Sequence, residues 1–305
     1  MLAFILRRTV QAIGVLIFVG TLVFFLLNIA GDPVELLAPE NATQAQIDQI
    51  RINFGLDQPL YLQYWRFLSS AIQGDLGRSF QTGQPAMGMI VERFPATAQL
   101  VLAAMLMALV LGVPMGVMAA NRHGSLVDRT LLFVSVLGVS APNFWLAVML
   151  LLIFSVELNW LPAYGSGTLA HLVLPAFTLA TYRIALFTRL IRATLLEELS
   201  QDYVRTARAK GVLPRLVVYR HAMRNALIPF VTVMGLEFGN LLAGAVVTES
   251  IFAWPGMNRL ALRALTTLDF PVIISFTLFV ALIFVVLNTL VDILYSVIDP
   301  RVRYS

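Results

Sequence analysis

The sequence predicts an all-α integral membrane protein with six transmembrane helices, and three observations carry that expectation. Of its 305 residues, 59% are hydrophobic and 12% charged, with a mean hydropathy of +0.82. That is far more apolar side chain than a water-soluble domain of this size buries. Six apolar runs of roughly 20 residues, each long enough to cross about 30 Å of hydrocarbon, fall at about 9–29, 97–120, 131–156, 172–194, 227–248 and 272–295. Cations are spread unevenly between them: fifteen Lys and Arg fall on the side of the termini and six on the other. The positive-inside rule then makes both termini cytoplasmic. The net charge of +4 and pI near 9.7 reflect this sidedness, and no nucleic-acid partner is expected.

The first run follows Arg7 and Arg8 and superficially resembles a signal peptide. It exceeds the usual apolar core of about 7 to 15 residues and lacks an A-x-A cleavage signal, so a retained signal-anchor helix is expected. Residues 1–30 thus form an N-terminal segment with the first span, 31–95 an extracytoplasmic helical segment, and 96–305 a core membrane domain with five further spans and a cytoplasmic loop at 197–226. Within the external segment, Pro59 suits a first helical turn, and Leu60, Tyr64, Phe67, Leu68 and Ile72 recur at three- and four-residue spacings before Gly74. Tyr61, Tyr64, Trp65 and Phe67 suit an environment wet at one end and apolar at the other. A helix lying at the membrane interface and a docking surface for a partner are both compatible with this pattern.

Gly112-x-x-x-Gly116 in the second span and Gly235-x-x-x-Gly239 in the fifth allow helix backbones to approach closely. Polar groups within the spans are few: Asn143, Arg183, Arg189, Glu237, Asn240, Asn288 and Asp292. Such groups are costly in hydrocarbon and face a bundle interior, a partner or a water-filled path. Arg189 and Asp292 lie near enough to the cytoplasmic ends to snorkel. Asn143, Glu237 and Asn240 are candidates for a translocation path. For Glu237, pairing with a basic or hydrogen-bonding neighbour is the expected role, and a proton relay the alternative.

The chemistry that is missing narrows the function. There is no cysteine, and the only lysine, Lys210, is followed by Gly211, so the G-x-x-x-x-G-K-[ST] phosphate loop is absent. No H-E-x-x-H or G-x-S-x-G occurs, and His123, His171 and His221 are too scattered in sequence to suggest a local metal site. GSGT at 165–168 reads as a loop. No catalytic, cofactor-binding or metal-binding residue is expected, and an intramembrane hydrolase would need a nucleophile and base that the chain does not offer.

The stretch DYVRTARAKGVLPRLVVYRHAMRN at 202–225 holds five arginines and the only lysine. Ser200 suits a helix cap, Asp202 a first turn, Arg208 and Lys210 a last turn, and Gly211 a left-handed exit. Pro214 suits the start of a second short helix, with Leu216, Val217 and Tyr219 on its apolar side and Arg215, Arg220 and Arg224 on its basic side. Topogenesis explains the charge. It does not explain two short helices at an angle joined by residues 211–213.

RTARAKG at 205–211 followed by RHAMRNALIP at 220–229 resembles the cytoplasmic "EAA" loop of binding-protein-dependent ABC importers, in the peptide and nickel permease branch. The likeness runs along the chain through GDP at 31–33, LDQPLYLQYW at 56–65, GDLGRSF at 74–80, TESIFAWPGM at 248–257 and VDILYSVIDPRVR at 291–303. It is closest to the B-type permease subunits of dipeptide, oligopeptide and glutathione systems. The chain departs from the generic loop in having Arg205, Thr206 and Ala207 at the first triplet, which is usual for the peptide branch. At position 237 related permeases tend to have Gln where this chain has Glu237.

The resemblance implies the type I ABC importer permease fold in a bacterial or archaeal cytoplasmic membrane. It implies four partner subunits: a homologous second permease, two ATPases that bind the ATP, and an extracytoplasmic substrate-binding protein, which the 31–95 segment and the loop around 249–270 would receive. The loop would dock in a groove of an ATPase as a coupling helix. Tyr203, Thr206, Ala207, Ala209, Gly211, Leu213 and Pro214 would lie in or near the joint, and Arg205, Arg208, Lys210 and Arg215 would contact acidic or backbone acceptors. Di- or oligopeptides, glutathione and nickel chelates all remain possible cargo. The alternative is a secondary transporter coupled to protons through Glu237.

Overall fold

The computed structural model describes residues 2–30, 34, 38 and 42–298, with the backbone alone for 2–7, 9, 30 and 291–298. Gly31 to Pro33, the side chains of Arg7 and Asp292, and Arg301 and Arg303 lie outside the described residues. In chain order the helices are α1 (Leu2–Ala30), α2 (Gln44–Phe54), α3 (Leu60–Ile72), α4 (Ala86–Asn121), α5 (Leu126–Ser140), α6 (Asn143–Glu157), α7 (Leu169–Leu199), α8 (Asp202–Ala209), α9 (Pro214–Gly244), α10 (Val246–Ile251), α11 (Met257–Thr266) and α12 (Phe270–Ile298). Among the described residues the only β feature is an isolated antiparallel bridge between Arg78 and Pro85.

Five helices, α1, α4, α7, α9 and α12, are long and apolar enough to cross a membrane. The sixth expected span, 131–156, is not one straight helix: α5 and α6 meet at a bend of 101°. The cause is Pro142. Its ring excludes the α conformation at the preceding residue, and Ala141 accordingly takes φ −77°, ψ 123°. Fifteen-residue α5 reaches only about 22 Å at 1.5 Å per residue, too short to cross alone, so a sixth crossing requires the bent pair taken together.

The chain divides into two compact units, residues 1–97 with 255–286, and residues 98–254 with 287–305. In the first, α3 forms over the residues the apolar spacing marked as helical. Phe24 of α1 stacks on Phe67 with centroids 5.5 Å apart, and the hydroxyls of Thr21 and Tyr64 are hydrogen-bonded at 2.8 Å. Tyr61 and Trp65 point outward and are exposed. Helix α2 went unread in the sequence, although Thr43 and Gln46 form its capping box and Gly55, at φ +67°, ends it. A core of Leu27, Met89, Ile90, Met257, Leu260, Phe270 and Ile273 fills the unit. The GDLGRSF stretch is anchored to it by buried Asp269, which accepts hydrogen bonds from Ser79 Oγ at 2.5 Å and Phe80 N at 3.0 Å.

In the second unit α7 is the central helix, and α5, α6, α9 and α10 pack on it. The α4 glycines pack on it too. A Cβ at Gly116 would stand 2.7 Å from the Thr188 carbonyl oxygen, and one at Gly112 would stand 2.9 Å from that of Ile184. Thr188 Oγ1 reinforces this approach, bonding Ile184 O at 2.7 Å and Gly112 O at 3.2 Å. In the TESIFAWPGM stretch, Glu249, Phe252 and Trp254 of this unit are buried, as is Met257 of the first, and further along the 249–270 segment Arg259, Leu262, Arg263 and Leu265 of the first unit are exposed. Gly116→Val forces a branched side chain into backbone and is expected to destabilise the protein by about 1–3 kcal/mol. Gly14→Ala, with nothing within 4 Å, is expected to be neutral. Thermal unfolding of the two purified variants checks the pair.

Candidate functional site

Helix α8 is short, and its ends are set by local chemistry. Gln201, in extended geometry, is its N-cap. Ser200 is not the cap the sequence suggested; its hydroxyl donates to Glu197 O at 2.7 Å and closes α7 instead. Asp202 and Arg208 complement the two ends of the helix dipole. At the exit Gly211 has φ +76°, and Gly211 N donates to Arg208 O at 3.0 Å and Val212 N to Ala207 O at 3.2 Å. This is a complete Schellman termination, and it needs the left-handed residue that only glycine adopts freely.

The second short helix expected after Pro214 is instead the first turns of α9, continuous through a π-helical turn at Val217–Ala222. The extra residue in that turn rotates the side chains that follow and lets the helix bend without ending. The inner face of α8, Val204 and Ala207, is buried, as are Val217 and Ala222 of the π turn on which it rests. Ala207 therefore supports the loop from within. Tyr203, Arg205, Thr206, Arg208, Ala209, Lys210, Gly211, Leu213, Pro214 and Arg215 are exposed. Leu216 and Tyr219 continue this surface, giving an apolar strip rimmed by cations.

Three side chains from three segments lock the loop in place. Tyr203 Oη donates to Glu198 Oε2 at 2.5 Å, while Asn225 Nδ2 lies 3.3 Å from the same carboxylate oxygen and 3.2 Å from the Tyr203 hydroxyl. Glu198 ends α7, Tyr203 begins α8, and Asn225 lies in α9. Desolvation, and then the bond to the Glu198 carboxylate, push the Tyr203 phenol up to about 12 from its ordinary 10.0. With the folded value raised, the stabilisation is complete below pH 10 and is lost as pH rises through about 12. Glu198 and Asn225 escaped the sequence reading because partners 5 and 27 residues from one end of the cluster follow no helical period.

Charge inside the second unit is paired. Arg183, counted above with the cytoplasmic cations, sits near the middle of α7 with Nε 2.9 Å from Glu237 Oε2 of α9. It therefore lies within the span and not in the cytoplasmic loop with which it was counted. Asn240 Nδ2 donates to Glu237 Oε1 at 3.3 Å. Asn143 does not join them; it is exposed at the α5–α6 bend. A second pair, Arg192 with Asp128, is bidentate at 2.6 and 2.8 Å and ties the start of α5 to α7. Asp128 also accepts from Gly124 N at 2.9 Å. The Ser125-x-x-Asp128 spacing was the available signal for that helix start. Among the described residues no cluster of three His, Cys, Asp or Glu could hold a metal ion. The arrangement presents an exposed apolar strip rimmed by cations on the loop and an ion pair inside the unit.

Residues 1–101 match the family described as the N-terminal part of binding-protein-dependent transport system membrane components, and residues 112–304 that described as binding-protein-dependent transport system inner membrane component. The chain belongs to this family of inner-membrane permeases of ABC transport systems. It is 42% identical over the full length of both chains to the glutathione transport system permease protein GsiC of Escherichia coli O6:H1. It is 43% identical, again over both full lengths, to a putative peptide transport system permease protein of Brucella abortus. Among solved structures it is similar to the MetNI methionine ABC transporter in inward-facing conformations, with a TM-score of 0.57 at 17% identity over 70% of this chain and 98% of that one. The fold is thus that of an ABC importer permease. A proton-coupled secondary transporter acting through Glu237 finds no support in this family.

Tyr203→Phe removes the short bond while keeping shape, and Glu198→Gln replaces its charged acceptor with a weaker, neutral amide oxygen. Each is expected to speed hydrogen exchange of the α8 amides about tenfold, equivalent to ~1.4 kcal/mol of local stability, with α7 unchanged. Mass-spectrometric exchange on the detergent-solubilised protein reads this directly.

Proposed function

We propose that the chain is one of two homologous membrane subunits of an ATP-driven importer, working with two ATPase subunits and an extracytoplasmic substrate-binding protein. The observation that carries this reading is the exposed strip of α8 and early α9. Tyr203, Leu213, Leu216 and Tyr219 supply exposed apolar surface, with Arg205, Arg208, Lys210 and Arg215 around it, all on a helix fixed from behind by Val204, Ala207 and the Glu198 cluster. Apolar surface of this kind calls for a cover, and the cationic rim suits an acidic groove. The chain lacks a phosphate loop of its own, so ATP is bound and hydrolysed by the partners. Closure of the ATPases would pull on α8 and, through it, on α7 and α9.

On this reading both termini are cytoplasmic, residues 31–95 and the exposed side of α11 face the binding protein, and 96–305 is the permease core carrying the loop at 197–226. The cargo is a di- or oligopeptide, glutathione or a related small solute, supported by full-length likeness to permeases named for glutathione and peptide transport. Glu237 and Asn240 lie on the path, with Asn143 at its edge.

Gly211→Pro provides the test. Proline fixes φ near −65° and has no N–H, so it destroys the Schellman turn while leaving every spanning helix intact. The variant is expected to insert normally, and its reconstituted complex is expected to lose about tenfold or more of the ATPase stimulation by loaded binding protein. Wild-type stimulation in that complex would contradict the docking role.

A further inference from the structure

The buried charge pair of the second unit is not explained by stability. Helices α7 and α9 are already joined by apolar packing: the Phe187 and Phe230 rings meet edge-to-face at 4.9 Å, and Ala226, Leu241 and Leu242 are buried alongside. Exchanging a buried ion pair for apolar residues of similar volume is commonly neutral or stabilising. An arginine and a carboxylate kept inside a membrane span therefore point to a solute or ion in transit.

The geometry separates this pair from the structural one. Arg192 grips Asp128 through two nitrogens at 2.6 and 2.8 Å. Arg183 approaches Glu237 with Nε alone at 2.9 Å, and neither Arg183 Nε nor Glu237 Oε2 has a well-directed hydrogen bond although both atoms are buried. Their other bonds are long, Arg183 Nη1 to Leu179 O at 3.3 Å and Glu237 Oε1 from Asn240 at 3.3 Å. The two side chains keep 10% and 12% of their surface open, and the neighbours of Glu237 on α9, Leu236 and Asn240, are exposed. The pair is thus held by charge, poorly hydrogen-bonded, and reachable from the face that carries an exposed amide. Lipid does not suit such a face.

From this we infer that Arg183, Glu237 and Asn240 form a station that reads both termini of a zwitterionic peptide as it crosses, with Arg183 taking the α-carboxylate, Glu237 the α-ammonium and Asn240 the amide between them. Each protein charge exchanges one opposite charge for another, so no uncompensated charge appears at membrane depth. A solute with one terminus blocked leaves Arg183 or Glu237 without its partner, and it is rejected for that reason. This inference rests on the importer reading above and adds the class of cargo and the residues that select it.

The test uses the assembled transporter with its own binding protein in proteoliposomes. The probes are dialanine and trialanine, each also as its N-acetyl form and its C-terminal amide. Because the same binding protein serves every variant, its own preferences cancel in the ratio of blocked to free uptake. Glu237→Gln is expected to raise the N-acetyl to free ratio about tenfold, and Arg183→Gln the amide to free ratio by a similar factor, each leaving the other ratio unchanged. Arg183→Lys and Glu237→Asp keep the charges and are expected to keep wild-type ratios while KM for the free peptide rises about fivefold. They carry the test if a Gln variant fails to assemble.

Unchanged ratios in the Gln variants, or an unchanged KM in the Lys and Asp variants, would overturn the station while leaving the importer reading standing. A wild-type complex whose ATPase responds to its loaded binding protein but which imports neither probe would also overturn the station. A wild-type complex with no ATP-driven uptake and no such response would overturn the importer reading as well.

Discussion

A movement imposed on α8 reaches the membrane only if α8 cannot swing on its own, and the Glu198–Tyr203–Asn225 cluster is what holds it. One carboxylate receives hydrogen bonds from the start of α8 and from the early part of α9 while belonging to the end of α7. Hydrogen bonds to charged groups are stronger than neutral ones, and here they close a triangle over three chain segments. The buried Val204 and Ala207 beneath and the Schellman turn at Gly211 fix the remaining degrees of freedom. The π turn at Val217–Ala222 does not loosen the joint, because α9 runs through it without a break. Force applied to the exposed strip is therefore delivered to the two helices that carry the internal ion pair.

That delivery depends on how α7 is packed. Its neighbour α4 approaches at backbone distance because Gly112 and Gly116 lack side chains, and the Thr188 hydroxyl bridges the gap. In hydrocarbon, where apolar surface gives no driving force between helices, such close packing and interhelical hydrogen bonding are what hold helices together. The bidentate Arg192–Asp128 pair fixes α5 to the same helix. The single-contact Arg183–Glu237 pair joins α7 to α9 with less commitment. Both pairs are anchored on α7, one tying it to α5 through two contacts and the other to α9 through one.

Much of this was legible in the sequence, and the remainder failed for identifiable reasons. Five of the six apolar runs became single unbroken helices because each is long enough to cross the hydrocarbon, and the Gly112 and Gly116 spacing announced the close helix pair. The amphipathic α3 was readable from its aromatic period. Helix α2 was missed, because its short apolar stripe of Ile47, Ile50 and Phe54 is set among Gln, Asp, Asn and Arg side chains, although Thr43 and Gln46 spelled its capping box. The break at Ala141–Pro142 was written in the Pro itself, but the apolar run on both sides hid it. In the loop at 202–225 the first short helix forms over the residues expected, and Gly211 does exit left-handed. Its second helix was misjudged because a π turn leaves no period in the sequence. That Glu237 pairs with a basic and a hydrogen-bonding neighbour was expected and is found, but the identity of Arg183 as its partner, and the cluster around Glu198, join residues from different helices, and that kind of proximity follows only from packing.

The chain contains no cysteine, so a single introduced thiol reports on one position alone. The measurement with most leverage is cross-linking of single-cysteine variants in native membranes, comparing Leu213→Cys and Arg205→Cys on the exposed strip with Val204→Cys on the buried face. A docked ATPase subunit is expected to be captured from both exposed positions and not from the buried one, with capture changing when ATP is bound. Equal capture at all three positions, or capture of no ATPase from the exposed pair, would contradict the assignment of this surface as the joint between ATP hydrolysis and transport.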